Sequence, residues 1–417
     1  MNKREFIKRI ALVGLSTPVF TRLDGLLAAA EGRSSLELAT DEDFWAKVRA
    51  SYKLKPDYIN LESGFYCIQP EDTLENFIRH VREVNYHGSY YMRNLRLENK
   101  QRVTAKLAEM AGCSADELVI TRNATESLDT IIGGVHWNSG DEAVLANQDY
   151  GAMRSMFELV EQRYGVARKI IDVPMHPQSD QEIVDTYAAA ITPKTRLLMV
   201  CHIINITGHI LPIRKICDMA HSKGVDVLVD GAHAFGHFEF SINDLNCDYY
   251  GTSLHKWLSA PLGAGFLYVN KSNLHKVWPV FASPKEPDDI TRLNHTGTHP
   301  AHTDLAIANA IEFHNRIGGA RKEARLRYLQ NYWTDQAREM DHLNLFTPKD
   351  RHRSCGIANV GVDGMESSDM AKKLMDEHGI FAVSINTSGV NGCRISPNVF
   401  TSIEELDALM AALKSMG

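Results

Sequence analysis

The stretch YYGTSLHKWLSAPLGAGFLYV, residues 249–269, places Ser253, His255 and Lys256 within four positions, ahead of a proline, two glycines and a short apolar run. Small residues and glycine let a backbone approach something closely, and a hydroxyl, an imidazole and an amine at that approach form a polar cluster next to a buried strand. Working backward, VDVLVDGAHA at residues 225–234 reads as a buried strand with Asp230 at its carboxyl end. An unpaired carboxylate there would cost several kcal/mol, so it calls for a cationic partner. Lys256 follows 26 positions later, beyond another strand-like segment. A structural ion pair would satisfy these two residues equally well.

Further outward the pattern alternates between strand and helix. DELVITRN ends a strand near Arg122 and is followed by the helical ATESLDTIIGGV; DEAVLANQDYG and AMRSMFELVEQRYG repeat the step. TRLLMVCHII and VDVLVDGAHA flank the helix-like PIRKICDMAHSKG, and GAGFLYV is a further strand. This rhythm predicts an α/β fold with a mostly parallel sheet covered on both faces, whose ligands sit at the carboxyl ends of the strands. After about residue 315 a long charged helix at residues 318–340 leads into GIANVGV, a helix, IFAVSIN, CRISP and a last helix, a smaller α+β domain. The predicted division is 1–30 export signal, 31–90 irregular segment joining the small domain or an interface, 91–315 large domain and 316–417 small domain.

A third group separates a ligand site from an ion pair. At Ala124, Thr125 and Glu126 a helix begins directly after a strand, offering free amides and a positive dipole end to a phosphate, with Ser253 and His255 as side-chain donors. A phosphate cradle, a carboxylate and a lysine are the requirements of pyridoxal 5′-phosphate (PLP). The lysine forms a Schiff base with the aldehyde, the carboxylate keeps the ring nitrogen protonated and the helix end holds the phosphate.

TRNATES, NQDYGA, NITGHILPI, VDGAHA, SLHKW, NHTGTHP and CRISP occur in that order. In this the chain resembles the class V aminotransferases, fold-type I PLP enzymes, and within them the isopenicillin N epimerase-like branch. The resemblance implies that Ala124 and Thr125 bind phosphate, that Tyr150 stacks on the pyridine ring and that Asn205 lies near the ring hydroxyl and the substrate. It implies Asp230 at the ring nitrogen with His233 beside it, Ser253 and His255 on the phosphate, and Lys256 as the Schiff-base lysine. Thr298 would reach the phosphate of a neighbouring subunit, making a homodimer with shared sites. Arg394 would clamp the α-carboxylate of a small amino substrate through its planar fork. Read from the residues alone, Tyr150 is also an ordinary loop aromatic, Asn205 a turn cap, His233 a buried core histidine, Arg394 a solvated arginine and Thr298 part of a plain turn. Desulfurases of this family carry a catalytic cysteine on a loop before the final arginine. Here SINTSGVNGCRISP is short and sets Cys393 directly beside Arg394. That disfavours desulfuration and leaves transamination, epimerisation or a lyase reaction.

Composition narrows the partners. Of 417 residues 45 are Lys or Arg and 52 Asp or Glu, so the net charge of −7 supplies no basic field for nucleic acid. Seven cysteines without a C-x-x-C pair argue against a disulfide framework or a cysteine zinc site. HTGTHPAH spaces His295, His299 and His302 in a way a metallohydrolase could use, but Gly297 and Pro300 break the helical face and no H-E-x-x-H glutamate is present. A non-catalytic binding module would have no need of Lys256, Asp230 and Arg394 together. The start, MNKREFIKRIALVGLSTPVFTRLDGLLAAA, has Lys3, Arg4, Lys8 and Arg9, a short apolar run and Ala28–Ala30 as a cleavage edge. It resembles a twin-arginine signal with Lys3 in place of the first arginine, which implies a periplasmic enzyme exported already folded around its cofactor; a cytoplasmic protein with an amphipathic tail is the alternative. No run reaches the roughly 18 apolar residues of a spanning helix. Exported relatives of this kind resemble periplasmic enzymes that tailor the glutamate of a peptide siderophore.

Overall fold

A computed structural model describes residues 25–27 and 30–417; the basic start and apolar run of the expected export signal lie outside the described residues. The strands are, in chain order, β1 (Ile59–Asn60), β2 (Leu118–Thr121), β3 (Glu142–Ala146), β4 (Ala167–Ile171), β5 (Thr195–Cys201), β6 (Asp226–Asp230), β7 (Tyr249–Ser253), β8 (Gly265–Val269), β9 (Leu343–Leu345), β10 (Ala358–Val362), β11 (Ile380–Phe381), β12 (Val383–Thr387) and β13 (Val390–Ile395). Seven of them form one sheet in the order β2-β8-β7-β6-β5-β3-β4. All its pairings are parallel except the two made by β8. Because β8 is antiparallel to both its neighbours, β2 runs in the same direction as the remaining five strands. The carboxyl ends of β2, β3, β5, β6 and β7 therefore share one edge.

Burial of both faces explains why these strands read as continuous apolar runs. Along β5, Leu198 and Val200 enter one core while Leu197 and Met199 enter the other; along β6, Val227 and Val229 oppose Leu228 in the same way. Gly265 at the start of β8 is required by close packing. A Cβ there would stand 2.7 Å from Asn123 Cα and 2.6 Å from Thr252 O, displacing the loop that begins the helix Ala124–Gly134.

The small domain is a four-stranded antiparallel sheet, β12-β13-β10-β9. Its apolar face packs on the helices Gly319–Ala337, Ser367–His378 and Ile403–Lys414. IFAVSIN, read as one strand, is two: β11 pairs in parallel with β1, and β12 starts a separate hairpin after the buried Ala382.

The segment 31–90 differs from the irregular stretch its composition suggested. It contains the helices Ser35–Ala39, Glu42–Arg49 and Glu71–His87. The first is closed by a capping box between Ser34 and Glu37, and the second by Asp41 accepting from Phe44 N–H, local signals in an otherwise polar stretch. Leu38, Trp45 and Val48 bury with Phe313, Leu326 and Val399, while residues 59–63 run along the small-domain strands. The helix Glu71–His87 packs instead on Ala301–Ile317.

Candidate active site

The shared edge of the sheet gathers most of the predicted residues. Asp230 ends β6 and is buried, its Oδ1 accepting from Ala232 N–H at 2.9 Å and its Oδ2 facing only the Cys201 thiol at 3.9 Å. Burial raises its pKa, against the Ala232 amide and the Lys256 charge, which lower it. A carboxylate with one oxygen so weakly engaged suits a cationic N–H donor. Lys256 Nζ stands 3.0 Å from His233 Nε2. Burial brings the lysine down to about 8, with Asp230 opposing and Arg394 assisting. His233 is also held neutral, first by burial and then by the Lys256 charge. Trp257 Nε1 points at His233 Nδ1 from 3.5 Å, a distant donor that favours the tautomer with hydrogen on Nε2, able to donate to an uncharged lysine.

Behind them, His237 stacks on Trp257 at 3.6 Å between ring centroids, donates through Nδ1 to His233 O at 2.8 Å and accepts Gly356 N–H at Nε2 at 2.7 Å. The buried Lys322 donates to Trp257 O. These groups fix the backbone on both sides of the lysine.

The helix Ala124–Gly134 starts from Asn123, whose side chain accepts from Glu126 N–H, while Ala124 N–H donates to Ser253 Oγ at 2.9 Å. Two chain segments 129 residues apart thus meet at the helix end, because β2 and β7 flank the same strand. His255 is half-buried, its Nδ1 has no hydrogen-bond partner, and burial lowers it to about 4. An orphan imidazole nitrogen, a serine hydroxyl and a helix N-terminus suit a phosphate group.

Arg394 lies on β13 and is buried, not solvated. It is paired with Glu62, also buried, through Nη2–Oε1 at 2.6 Å and Nε–Oε2 at 3.2 Å, and its Nη1 donates to Asn205 O at 3.2 Å. Asn205 is part of the tight turn closed by Gly208 at φ +76°, so its carbonyl, rather than its side chain, touches the arginine. Tyr150 caps the helix Gly151–Tyr164, is 47% exposed, and lines a cavity of about 140 Å³ with Asn147, Arg154, Asn205, Thr387 and Ser388. Thr298 is exposed in the turn before Ala301–Ile317, outside this cluster. Among the described residues no three His, Cys, Asp or Glu side chains stand where they could hold a metal ion; His299 Nε2 is engaged with Thr296 at 2.8 Å.

A model of the family described as "Aminotransferase class-V" matches residues 72–409. The chain belongs to the class V aminotransferases. It is 27% identical over 393 residues to an isopenicillin N epimerase of Streptomyces clavuligerus, covering 89% of this chain and 98% of that protein. A probable cysteine desulfurase of Vibrio cholerae is 24% identical, covering 88% and 96%. Among solved structures, a C-DES mutant with glycine covalently linked to its PLP cofactor superposes with a TM-score of 0.81 at 21% identity, covering 88% and 99%. The chain is a PLP-dependent enzyme with the fold-type I architecture.

Lys256, Asp230, His233, Ser253, His255, Ala124 and Thr125 fit that cofactor on the observations above: the open carboxylate oxygen, the orphan imidazole and the helix amides. When bound, PLP acts as an electron sink for the α-carbon of an amino substrate. Lys256, uncharged above about pH 8, would be a side chain able to accept and return a proton there. Sequence reasoning missed Glu62, Trp257 and His237. INLESG, with Asn60 and Ser63 beside the glutamate, carries no local signal that would have singled out Glu62.

Proposed function

We propose that this class V enzyme acts on the α-carbon of a free amino acid or of a metabolite that carries one, moving its amino group to the cofactor and releasing a keto product. The observation that carries this reading is the Lys256–His233 contact at 3.0 Å, a buried amine lowered to about 8 and within the electrostatic reach of Asp230. Arg394 would receive the α-carboxylate, and the roles of Ser253, His255, Tyr150 and Thr298 are part of the same proposal. Cys393 supports transfer over desulfuration: its thiol is buried in the small-domain core against Ser367 O at 3.5 Å, on the opposite side of β13 from Arg394. Epimerisation is the second reading, favoured by the full-length likeness to isopenicillin N epimerase. It requires a proton carrier on each face of the α-carbon.

The proposal extends to place and assembly. The basic, alanine-ended start supports export of the folded protein to the periplasm, where a peptide siderophore's glutamate is a candidate substrate. Exposed Phe65 at 71%, Leu262 at 62% and Trp278 at 65% support a second copy of the chain as partner, with Thr298 reaching its phosphate. Sedimentation of the purified protein tests the dimer, and Thr298→Ala should weaken cofactor retention in it.

The deciding experiment is the visible spectrum of the purified protein, titrated with amino acids and a glutamyl siderophore. Band loss with stoichiometric keto product supports transamination, whereas stereochemical exchange without keto product replaces it with epimerisation. A colourless protein that neither takes up PLP nor reacts with borohydride rejects both.

A further inference from the structure

The geometry points to Glu62 as the positioning residue of the substrate clamp, a role that rests on the reading of Arg394 as carboxylate receptor. A guanidinium offers five N–H donors. Glu62 takes the one on Nε and one on Nη2, and Asn205 O takes one on Nη1. Two remain, one on each terminal nitrogen, enough for the end-on fork that a second carboxylate fits bidentately. Glu62 therefore occupies the arginine's side-on edge and leaves the end-on edge for substrate.

The carboxylate is itself held by two further donors, and its backbone by a bridge. Phe65 N–H donates to Oε1 at 2.7 Å, Ser396 Oγ to Oε2 at 3.3 Å, and the chain at Glu62 bridges to Ser396 alongside β13. Gly64 supplies the room, since a Cβ there would stand 3.0 Å from Arg394 Cζ. The arrangement turns a flexible side chain into a fixed plate, with its charge balanced before any substrate arrives. Both partners are buried, so the arginine has no solvated alternative orientation. The site consequently recognises one carboxylate by the geometry of the end-on fork more than by net charge, which favours planar carboxylates over other anions of equal charge.

The test compares an α-amino acid substrate with the amine that lacks its carboxylate, on the holoenzyme. Glu62→Ala should raise KM for the amino acid about tenfold or more, change kcat less than threefold, and leave binding of the amine unaltered. Glu62→Asp should recover part of the loss, and Gly64→Ala should reproduce it. Glu62→Gln keeps the shape and the acceptor for Phe65 N–H, and carries the same measurement if Glu62→Ala fails to fold. Unchanged KM in the Gln and Ala variants overturns the proposal. Tighter amino-acid binding also overturns it, by showing that Glu62 competes with substrate for the arginine. Arg394→Ala serves as the separate control. If it fails to alter the preference for amino acid over amine, the clamp reading itself falls; if it abolishes that preference while the Glu62 variants retain it, only the positioning role falls.

Discussion

Lys256 Nζ and His233 Nε2 meet at 3.0 Å where burial disfavours the charged form of both groups. Burial, assisted by the Arg394 charge, makes the lysine a nucleophile at a pH where an exposed lysine would be protonated. Lys256→Ala should therefore yield a protein that binds PLP without the borohydride-reducible linkage. In the native apoprotein, the rate of linkage should rise through about pH 8, not near the 10.5 of an unperturbed lysine. A stopped-flow pH profile with its midpoint above 10 would refute the depressed amine.

Asp230→Asn preserves shape while removing the charge that would face the cofactor ring on the proposed reading. A charge-assisted hydrogen bond contributes about 1.5–3 kcal/mol, so turnover should fall by about 10- to 100-fold with the fold intact. The measurement is kcat at saturating PLP beside the circular dichroism spectrum.

Ser253→Ala removes the acceptor for Ala124 N–H and, on the proposed reading, a donor to phosphate. One neutral hydrogen bond is worth about 0.5–1.5 kcal/mol, which places the expected loss of PLP affinity at about two- to tenfold. Equilibrium dialysis of the variant against wild type reads it directly.

Arg394→Ala has two separable effects. Substrate binding should weaken by about 1.5–3 kcal/mol. The abandoned Glu62 carboxylate should also cost about 3–5 kcal/mol of stability, the penalty for breaking a buried pair from one side. Urea unfolding measures the second effect, and removing Glu62 as well should restore most of that stability but none of the substrate affinity.

Asp149 provides a test by pH. It is buried beside Cys201 and near Asp230, and burial lifts it to about 7 although Ala146 N–H donates to it. Between about pH 4 and pH 7 the folded apoprotein holds a proton that the unfolded chain releases. Its contribution to stability is complete below that window and declines by about 1.4 kcal/mol per unit as pH rises through it. Asp149→Asn should remove this decline, and urea titrations at pH 5, 6 and 7 would show a flatter profile than wild type.

Much of the site was legible because it obeys one rule. Residues at the carboxyl ends of parallel strands converge, so Asp230 after β6, Ser253 after β7 and Ala124 after β2 could be grouped from local pattern alone. Elements with mixed exposure were not legible. β4, with the sequence ARKII, has no alternating face, and the three-residue β9 is too short for periodicity. Glu62 was invisible for another reason: its meaning depends on Arg394, 332 residues away, and nothing in INLESG indicates that partner. The burial of the arginine follows from tertiary packing that a lone C-R-I-S-P cannot express.

The pairing of β1 with β11 and of Glu62 with Arg394 also bears on how the chain reaches this state. Closing so long a loop carries an entropic cost that only distant contacts repay, so such contacts form late. The large sheet, whose strands lie within residues 118–269, can assemble from nearer neighbours first. The fold thus has a natural order in which the nest around Lys256 forms before the clamp shuts across it. On that order, the short segment carrying Glu62 becomes a late-forming strap whose docking completes the surroundings of Arg394.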